Sequence, residues 1–279
     1  MTRAALLALL ALPAFAAAQS CRVSLPVTLL NRSGNPFLPL TPADLQVKQP
    51  RGAAVVALAP ASPRRVELLI DGSGSLAAKT LWSRSENIAA ALLATAPAGI
   101  AVGLDAFGDQ LRAIAPFRSP AAAYEAPLAR AYRGFHPTGG TAFFDVLAQS
   151  VASRAGLRPG DAILAISDGD DDTSHISASS AARALEAAGV RLFLFHLGDE
   201  PLQSGPKDMI RDSGGEVFAA YPVVAPRELA LRAWILLQDE ASVTVTLPAG
   251  RHGALRLAPA RTLQHARLLA ARPRFACPR

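Results

Sequence analysis

The chain has 279 residues, of which 51% are hydrophobic and 18% charged, with a formal net charge of +6. That apolar content in that length makes a globular protein, with one large core or one core plus a smaller annex. The positive balance does not make a nucleic-acid surface: lysine occurs only at Lys48, Lys79 and Lys207, and the rest is arginine spread through an alanine-rich sequence, the bias of a GC-rich genome. No nucleic-acid partner is expected.

Residues 1 to about 18 carry Arg3, an apolar stretch from Ala4 to Phe15 and then Ala16-Ala17-Ala18, which reads as a secretory signal peptide cleaved after Ala18. No other segment approaches the roughly 20 apolar residues that a membrane span needs. The mature protein is therefore expected to be secreted or periplasmic, without a transmembrane segment. Cys21 and Cys277 stand at opposite ends of the mature chain, and in an oxidising compartment two cysteines make one bridge. A lipid anchor on Cys21, for which Ala18-Gln19-Ser20 is a poor lipobox, and two unpaired thiols are the alternatives.

Residues 22 to 62 read as a first β segment with a linker. Leu25, Val27 and Leu29 alternate with polar or small neighbours, Asn31 to Asn35 supply a turn, and Leu45 to Lys48 alternate again. Between them, Thr41-Pro42-Ala43-Asp44 reads as a capped single helical turn. Residues 50 to 64, rich in Pro, Ala and Arg, read as the linker to a main domain over about 65 to 240.

That domain opens with Val66 to Ser75, VELLIDGSGS. The apolar run Leu68-Leu69-Ile70 has the length of a strand buried on both faces and stops at Asp71, followed by Gly72, Ser73, Gly74 and Ser75. Helices follow over 76–96, 120–132, 142–155, 177–188, 205–213 and 226–238. Strands follow over 100–107 and 111–117, an antiparallel edge hairpin turned at Gly108-Asp109-Gln110, and over 161–166, 190–197 and 216–220. Alternation of this kind implies an α/β fold with a doubly wound, mostly parallel sheet, with the Asp71 strand and the strand ending before Asp168 as central neighbours. From 241 to 279 the pattern returns to β: Val243, Val245 and Leu247 alternate, as do Leu255 and Leu257, and these strands are expected to return to the N-terminal segment. Residues 259 to 272 stay open between strand and helix. Seven arginines and no acidic residue lie between Arg251 and Arg279, a solvated or sheet-edge set.

Ligands in open α/β sheets bind at the carboxyl ends of the strands. One carboxylate and two hydroxyls on alternate residues can turn three oxygens to one point, and all-oxygen ligation suits Mg²⁺ or Mn²⁺, not zinc or copper. Thr138-Gly139-Gly140-Thr141 in a Gly/Pro-rich loop and Asp168 in ISDGDDD add to the set. The order DxSxS, GGT and SDG, each in its strand context, resembles the metal-ion-dependent adhesion site of the von Willebrand factor type A family. What the resemblance implies is a Rossmann-like fold in which Asp71, Ser73, Ser75, Thr141 and Asp168 hold one Mg²⁺, with Mn²⁺ or Ca²⁺ as alternatives, and in which a protein partner completes the shell with an Asp or Glu. Gly34, Pro36, Leu40, Thr41, Asp44 and Leu45 are similarly like the N-terminal β annex of bacterial secreted proteins related to that family.

The bland readings stand beside these. Asp71 could cap the next helix and the serines could satisfy backbone amides. Asp170, Asp171 and Asp172 read as a solvated acidic loop, or as a second cation site. The five histidines show no ligand spacing, although His136 precedes the GGT loop. Neither Ser73 nor Ser75 has the G-x-S-x-G offsets of a nucleophile elbow, and no phosphate loop is present, so an enzyme is not expected. The expected function is a metal-dependent binding module of adhesion type. The alternatives are a structural envelope or assembly factor whose annex makes the contacts, and a metal-dependent hydrolase.

Overall fold

The structure is a computed structural model and describes residues 21–37, 39–118, 121–153, 157–220 and 224–278. The expected signal peptide lies outside the described residues.

The first strands are β1 (Cys21–Leu30), β2 (Leu45–Gln49) and β3 (Ala54–Ala61). Before β2, Pro42–Asp44 make the expected single turn, held by Asp44 Oδ2, which accepts from the Thr41 backbone N–H and hydroxyl, both at 2.8 Å. The strand β3 corrects the linker reading of residues 50–64. Val55 and Leu58 are half-buried against the annex core while Ala54, Val56, Ala57 and Ala59 are exposed. A strand of alanines with one proline has a linker's composition, and Pro60 is tolerated because β3 is an edge.

From Arg65 strands and helices alternate: β4 (Arg65–Asp71), α1 (Lys79–Ala94), β5 (Ala101–Phe107), β6 (Leu111–Arg118), α2 (Glu125–Gly134), α3 (Phe143–Ser153), β7 (Ala162–Ser167), α4 (Ala178–Ala188), β8 (Arg191–His196), α5 (Ser204–Asp212), β9 (Val217–Ala219) and α6 (Pro226–Gln238). The six strands form one sheet in the order β6-β5-β4-β7-β8-β9, parallel except for the β5–β6 hairpin at one edge. This is the mostly parallel, doubly wound α/β sheet that the sequence implies, with β4 and β7 adjacent. Each central strand is buried on both sides. Val66, Leu68 and Ile70 pack with Ile88, Leu92 and Trp234 of α1 and α6, whereas Leu69 packs with Phe143 and Leu147 of α3 and Leu185 of α4. Each such Leu or Ile contributes about 1.5–3 kcal/mol when fully buried. The helix α4 shows how ends are set: the Ser177 hydroxyl accepts from the Ser180 N–H at 3.3 Å, and Gly189 ends the helix at φ +64°.

After α6 come β10 (Glu240–Leu247), β11 (His252–Ala254), β12 (Arg256–Pro259), β13 (Arg267–Ala270) and β14 (Arg274–Ala276), with a 3-10 turn at Arg261–Leu263. Residues 259–272 thus divide between a turn and a strand. The strand β10 inserts between β1 and β3, and β13 pairs with the other side of β1, giving an antiparallel sheet in the order β13-β1-β10-β3; β2 pairs with β12, and β11 with β14. The two ends of the chain therefore build one β annex around Leu25, Val27, Val243, Val245 and Leu255. A disulfide between Cys21 and Cys277, with Cα atoms 5.5 Å apart, closes it. The annex meets the amino-terminal rim of the main sheet, where Arg191 at the start of β8 bonds Glu240 at the start of β10. Asp71 and Asp168 lie at the opposite, carboxyl-end rim. Among the described residues no helix is long and apolar enough to cross a membrane.

Candidate metal centre

Parallel register builds the rim. Ile70 pairs with Ile166, so Asp71 ends β4 beside Ser167 at the end of β7, and two-residue alternation sets both side chains on the same face. The Ser167 hydroxyl donates to Asp71 Oδ2 at 2.5 Å, and the Ser73 backbone N–H donates to Oδ1 at 2.8 Å. The hydroxyls of Ser73 and Ser75 are 3.0 Å apart, at the start of a 3-10 turn (Gly74–Ala77) that leads into α1. Asp71, Ser73 and Thr141 are buried, Asp168 is half-buried and Ser75 is exposed, so the group opens outward at Ser75 and Asp168.

The three loops that carry these residues are tied by their backbones. The Thr138 N–H donates to Gly72 O at 3.1 Å and the Gly74 N–H to Gly139 O at 3.0 Å; Thr141 O accepts from the N–H groups of Asp172 and Thr173 at 3.0 and 3.1 Å. Gly72 is required by close approach, since a Cβ there would stand 1.9 Å from the Phe135 ring, and Gly140 likewise, since one would meet the Thr173 methyl at 2.4 Å. The acidic run braces these loops. Asp172 Oδ1 accepts from the Thr141 N–H at 2.6 Å, and Asp171 Oδ2 accepts from the Phe144 N–H in the first turn of α3 at 2.9 Å and from the Ser174 hydroxyl at 2.6 Å. Asp171 and Asp172 thus do more than solvate a loop, whereas Asp170 has no such bracing role and is exposed.

Burial dominates the electrostatics of Asp71. It pushes the carboxyl up to about 7, the hydrogen bonds from Ser167 and Ser73 pull it back, and the negative charge of Asp168 pushes it up further. Among the described residues neither carboxylate has an ion-pair partner. A desolvated carboxylate beside a second one, ringed by hydroxyls and without an ion-pair partner among the described residues, is a charge imbalance that a hard divalent cation would offset, and the donors are all oxygen. Among the described residues no three His, Cys, Asp or Glu side chains converge to hold a metal by themselves, so hydroxyl oxygens are needed to complete any such shell.

The sequence does not single out Ser167, and it names Asp172 without the role it has in bracing Thr141. The signal for Ser167 was its place at the end of a buried strand, one residue before Asp168; its partner only follows from the register. His136 is exposed and borders a cavity of about 210 Å³ with Gly72, Asp109 and Thr138. Trp82 packs on Tyr132 with ring centroids 4.5 Å apart, a core contact as its sequence position suggests.

No protein-family description matches the chain, and no curated protein does. Among solved structures, a von Willebrand factor type A protein from Catenulispora acidiphila is 15% identical with a TM-score of 0.49, over 90% of this chain and 73% of that one. The conserved hypothetical protein BatB from Bacteroides thetaiotaomicron is 16% identical with a TM-score of 0.47, over 62% of this chain and 98% of its own. The manganese-loaded TRAP protein of Plasmodium vivax is 14% identical with a TM-score of 0.48, over 80% of this chain and 98% of its own.

Proposed function

We propose that the chain is a secreted or periplasmic protein-binding module that recognises its partner through Mg²⁺ held by Asp71, Ser73, Ser75, Thr141 and Asp168. The observation that carries this reading is the state of Asp71: fully buried, hydrogen-bonded to Ser167 and Ser73, pushed up to about 7, and without a basic partner among the described residues. Asp71 and Asp168 bring two negative charges, which match a dication, while Ser73, Ser75 and Thr141 fill positions without adding charge. Ser167 and the Ser73 N–H fix the orientation of the Asp71 carboxylate, and Asp172 fixes the Thr141 backbone. A bound divalent ion supplies one electrophilic coordination place, which an Asp or Glu of the partner completes; Mn²⁺ and Ca²⁺ suit the same oxygens.

The reading is one of binding, not catalysis. It also separates cleanly from the alternative in which the annex makes the contacts, because the annex lies at the other rim of the sheet. The test uses immobilised peptides that each carry one Asp or Glu in a neutral context. Binding by the wild type with Mg²⁺ is expected to disappear with EDTA and in Asp71→Ala, with circular dichroism confirming that the variant is folded. Binding retained by Asp71→Ala would overturn the mechanism, and binding indifferent to EDTA would move the contact to the annex.

A further inference from the structure

Where the annex meets the main sheet, a cavity of about 360 Å³ lies between β9 and β13. The first ends the main sheet and the second ends the annex sheet, and among the described residues no strand pairs with the outer side of either. Side chains alternate along a strand, so a cavity on one face of a sheet is lined by every second residue. This one is lined by all four residues of β13 and by 215–217 at the start of β9, so it follows the two backbone edges. The loop that ends α5 covers the β13 edge only beyond that point: the Arg272 N–H donates to Asp212 O at 3.0 Å, and a Cβ on Gly214 would stand 2.4 Å from Ala271 N.

The opposite edges of the two sheets are blunted. The strand β3 carries Pro60 and a register shift, and β6 carries Pro116 and irregular register, devices that keep an edge from pairing again. Neither β9 nor β13 has a proline or a register shift. What β13 carries is Arg267, whose side chain is exposed. A cation on an edge rejects a second copy of the chain, which brings the same charge, and admits an acidic strand.

The lining suits a strand with two kinds of side chain. Ile210, Val217, Leu257 and Leu268 offer apolar surface, and Lys207, Arg211, Arg267 and Arg272 bring positive charge against the single carboxylate of Glu216. Arg267 bonds Glu216, and Arg211 and Arg272 reach Asp208 and Asp212, each at 2.7 Å. A guanidinium has five donors, so these arginines keep donors in hand, and Lys207 has no ion-pair partner among the described residues. At about 3.4 Å per residue, β13 offers an edge roughly 13 Å long, the reach of a short extended segment. We infer that this cavity is a strand-addition site: an extended, acidic segment of a partner protein pairs its backbone with β13, lays alternate apolar side chains on the inner surface and turns its carboxylates to the cations. The contact does not rest on the metal-bridged reading, since it uses none of the five proposed ligands.

The probe is a fluorescein-labelled seven-residue peptide of alternating Glu and Val, followed by anisotropy with the full chain in EDTA, with hydrogen exchange as the second readout. The expected result is saturable binding that weakens with salt, is unchanged in Asp71→Ala, and slows exchange at 267–270. The same peptide with Lys for Glu is expected not to bind. Lys207→Gln/Arg211→Gln alters two exposed side chains of α5 and is expected to weaken binding about fivefold, with an unchanged urea midpoint. N-methylation of the central Val and the preceding Glu blocks both edges of the peptide while keeping its charge, and is expected to cost at least about tenfold. No saturable binding, or protection that falls outside the β13 edge, overturns the proposal. Equal binding of the N-methylated peptide overturns strand addition, as does a cavity that takes dodecanoate and not the peptide, which would make it a site for an anionic amphiphile. Binding lost in EDTA and in Asp71→Ala would place the acidic peptide on the metal centre and overturn this site while leaving the metal-bridged reading intact.

Discussion

Arg191 and Glu240 meet at 2.5 Å with both side chains buried, and they join the first residue of β8 in the main sheet to the first residue of β10 in the annex. The guanidinium also donates to Gly214 O at 2.9 Å and to the Thr28 hydroxyl at 3.4 Å, and it lies over the Phe193 ring at 4.8 Å. Burial pushes the Glu240 carboxyl above its ordinary value against the pull of Arg191. Desolvating two charges offsets most of their attraction, so the pair fixes where the annex meets the sheet more than it adds stability.

Breaking this pair is therefore expected to be asymmetric. Glu240→Leu leaves a guanidinium that cannot lose its proton and costs about 3–5 kcal/mol, whereas Arg191→Met leaves a carboxyl that can take one, and costs less. The double variant returns close to wild type, because no uncompensated charge remains. Urea unfolding midpoints test this, and simple addition of the two losses would contradict it.

The disulfide closes a loop with a sequence separation of 256. In the chain-entropy treatment that contributes roughly 5 kcal/mol, with measured gains often smaller. Cys21→Ser/Cys277→Ser should lower the unfolding midpoint, with hydrogen exchange rising first in β1, β10 and β14 and not at the Asp71 rim. Faster exchange at the rim would mean that the annex and the Asp71 rim are coupled.

Ser167 holds Asp71 without being one of the five proposed ligands. Ser167→Ala leaves the Asp71 carboxylate short of one donor, and Mg²⁺ affinity is expected to fall about 10- to 100-fold, as for other residues that orient a ligand. Calorimetric titration of both proteins decides it; an unchanged affinity would place the Ser167 bond outside the site's function.

Acid sensitivity should come in part from Asp145. Its carboxylate accepts from the His175 backbone N–H, the His175 ring and the Ile176 N–H, which hold it below the ordinary carboxylate range. A lowered folded value contributes stability that is present above the unfolded value of about 3.9 and is lost as pH falls through the folded one. The gap in urea midpoint between wild type and Asp145→Asn should thus be present above the unfolded value and narrow as pH falls below it. A gap that does not narrow on acidification would contradict the assignment.

Much of the rim could be read from the sequence because its residues end apolar runs and sit among glycines: Asp71 after Leu69-Ile70, Thr141 after two glycines, and Asp168 after a buried strand. What could not be read depends on long-range register. Ser167 bonds a residue 96 positions away, a contact that follows only from the pairing of β4 with β7. The strand β3 was hidden for a different reason: as an edge it needs only Val55 and Leu58 half-buried, and its alanines and Pro60 carry no alternating pattern. The cysteine pair was legible from number and position alone.

Divalent-cation binding at the Asp71 rim is open to test by thermal unfolding of wild type and Asp71→Asn in Mg²⁺ and in EDTA. With metal at one hundred times its Kd, wild type should gain about 2.7 kcal/mol, or roughly 5–10 °C in midpoint. Asp71→Asn should gain nothing, yet in EDTA it should be at least as stable as wild type, because it buries no charge there. Equal midpoints for wild type in Mg²⁺ and EDTA, or an equal gain in the variant, would contradict the claim.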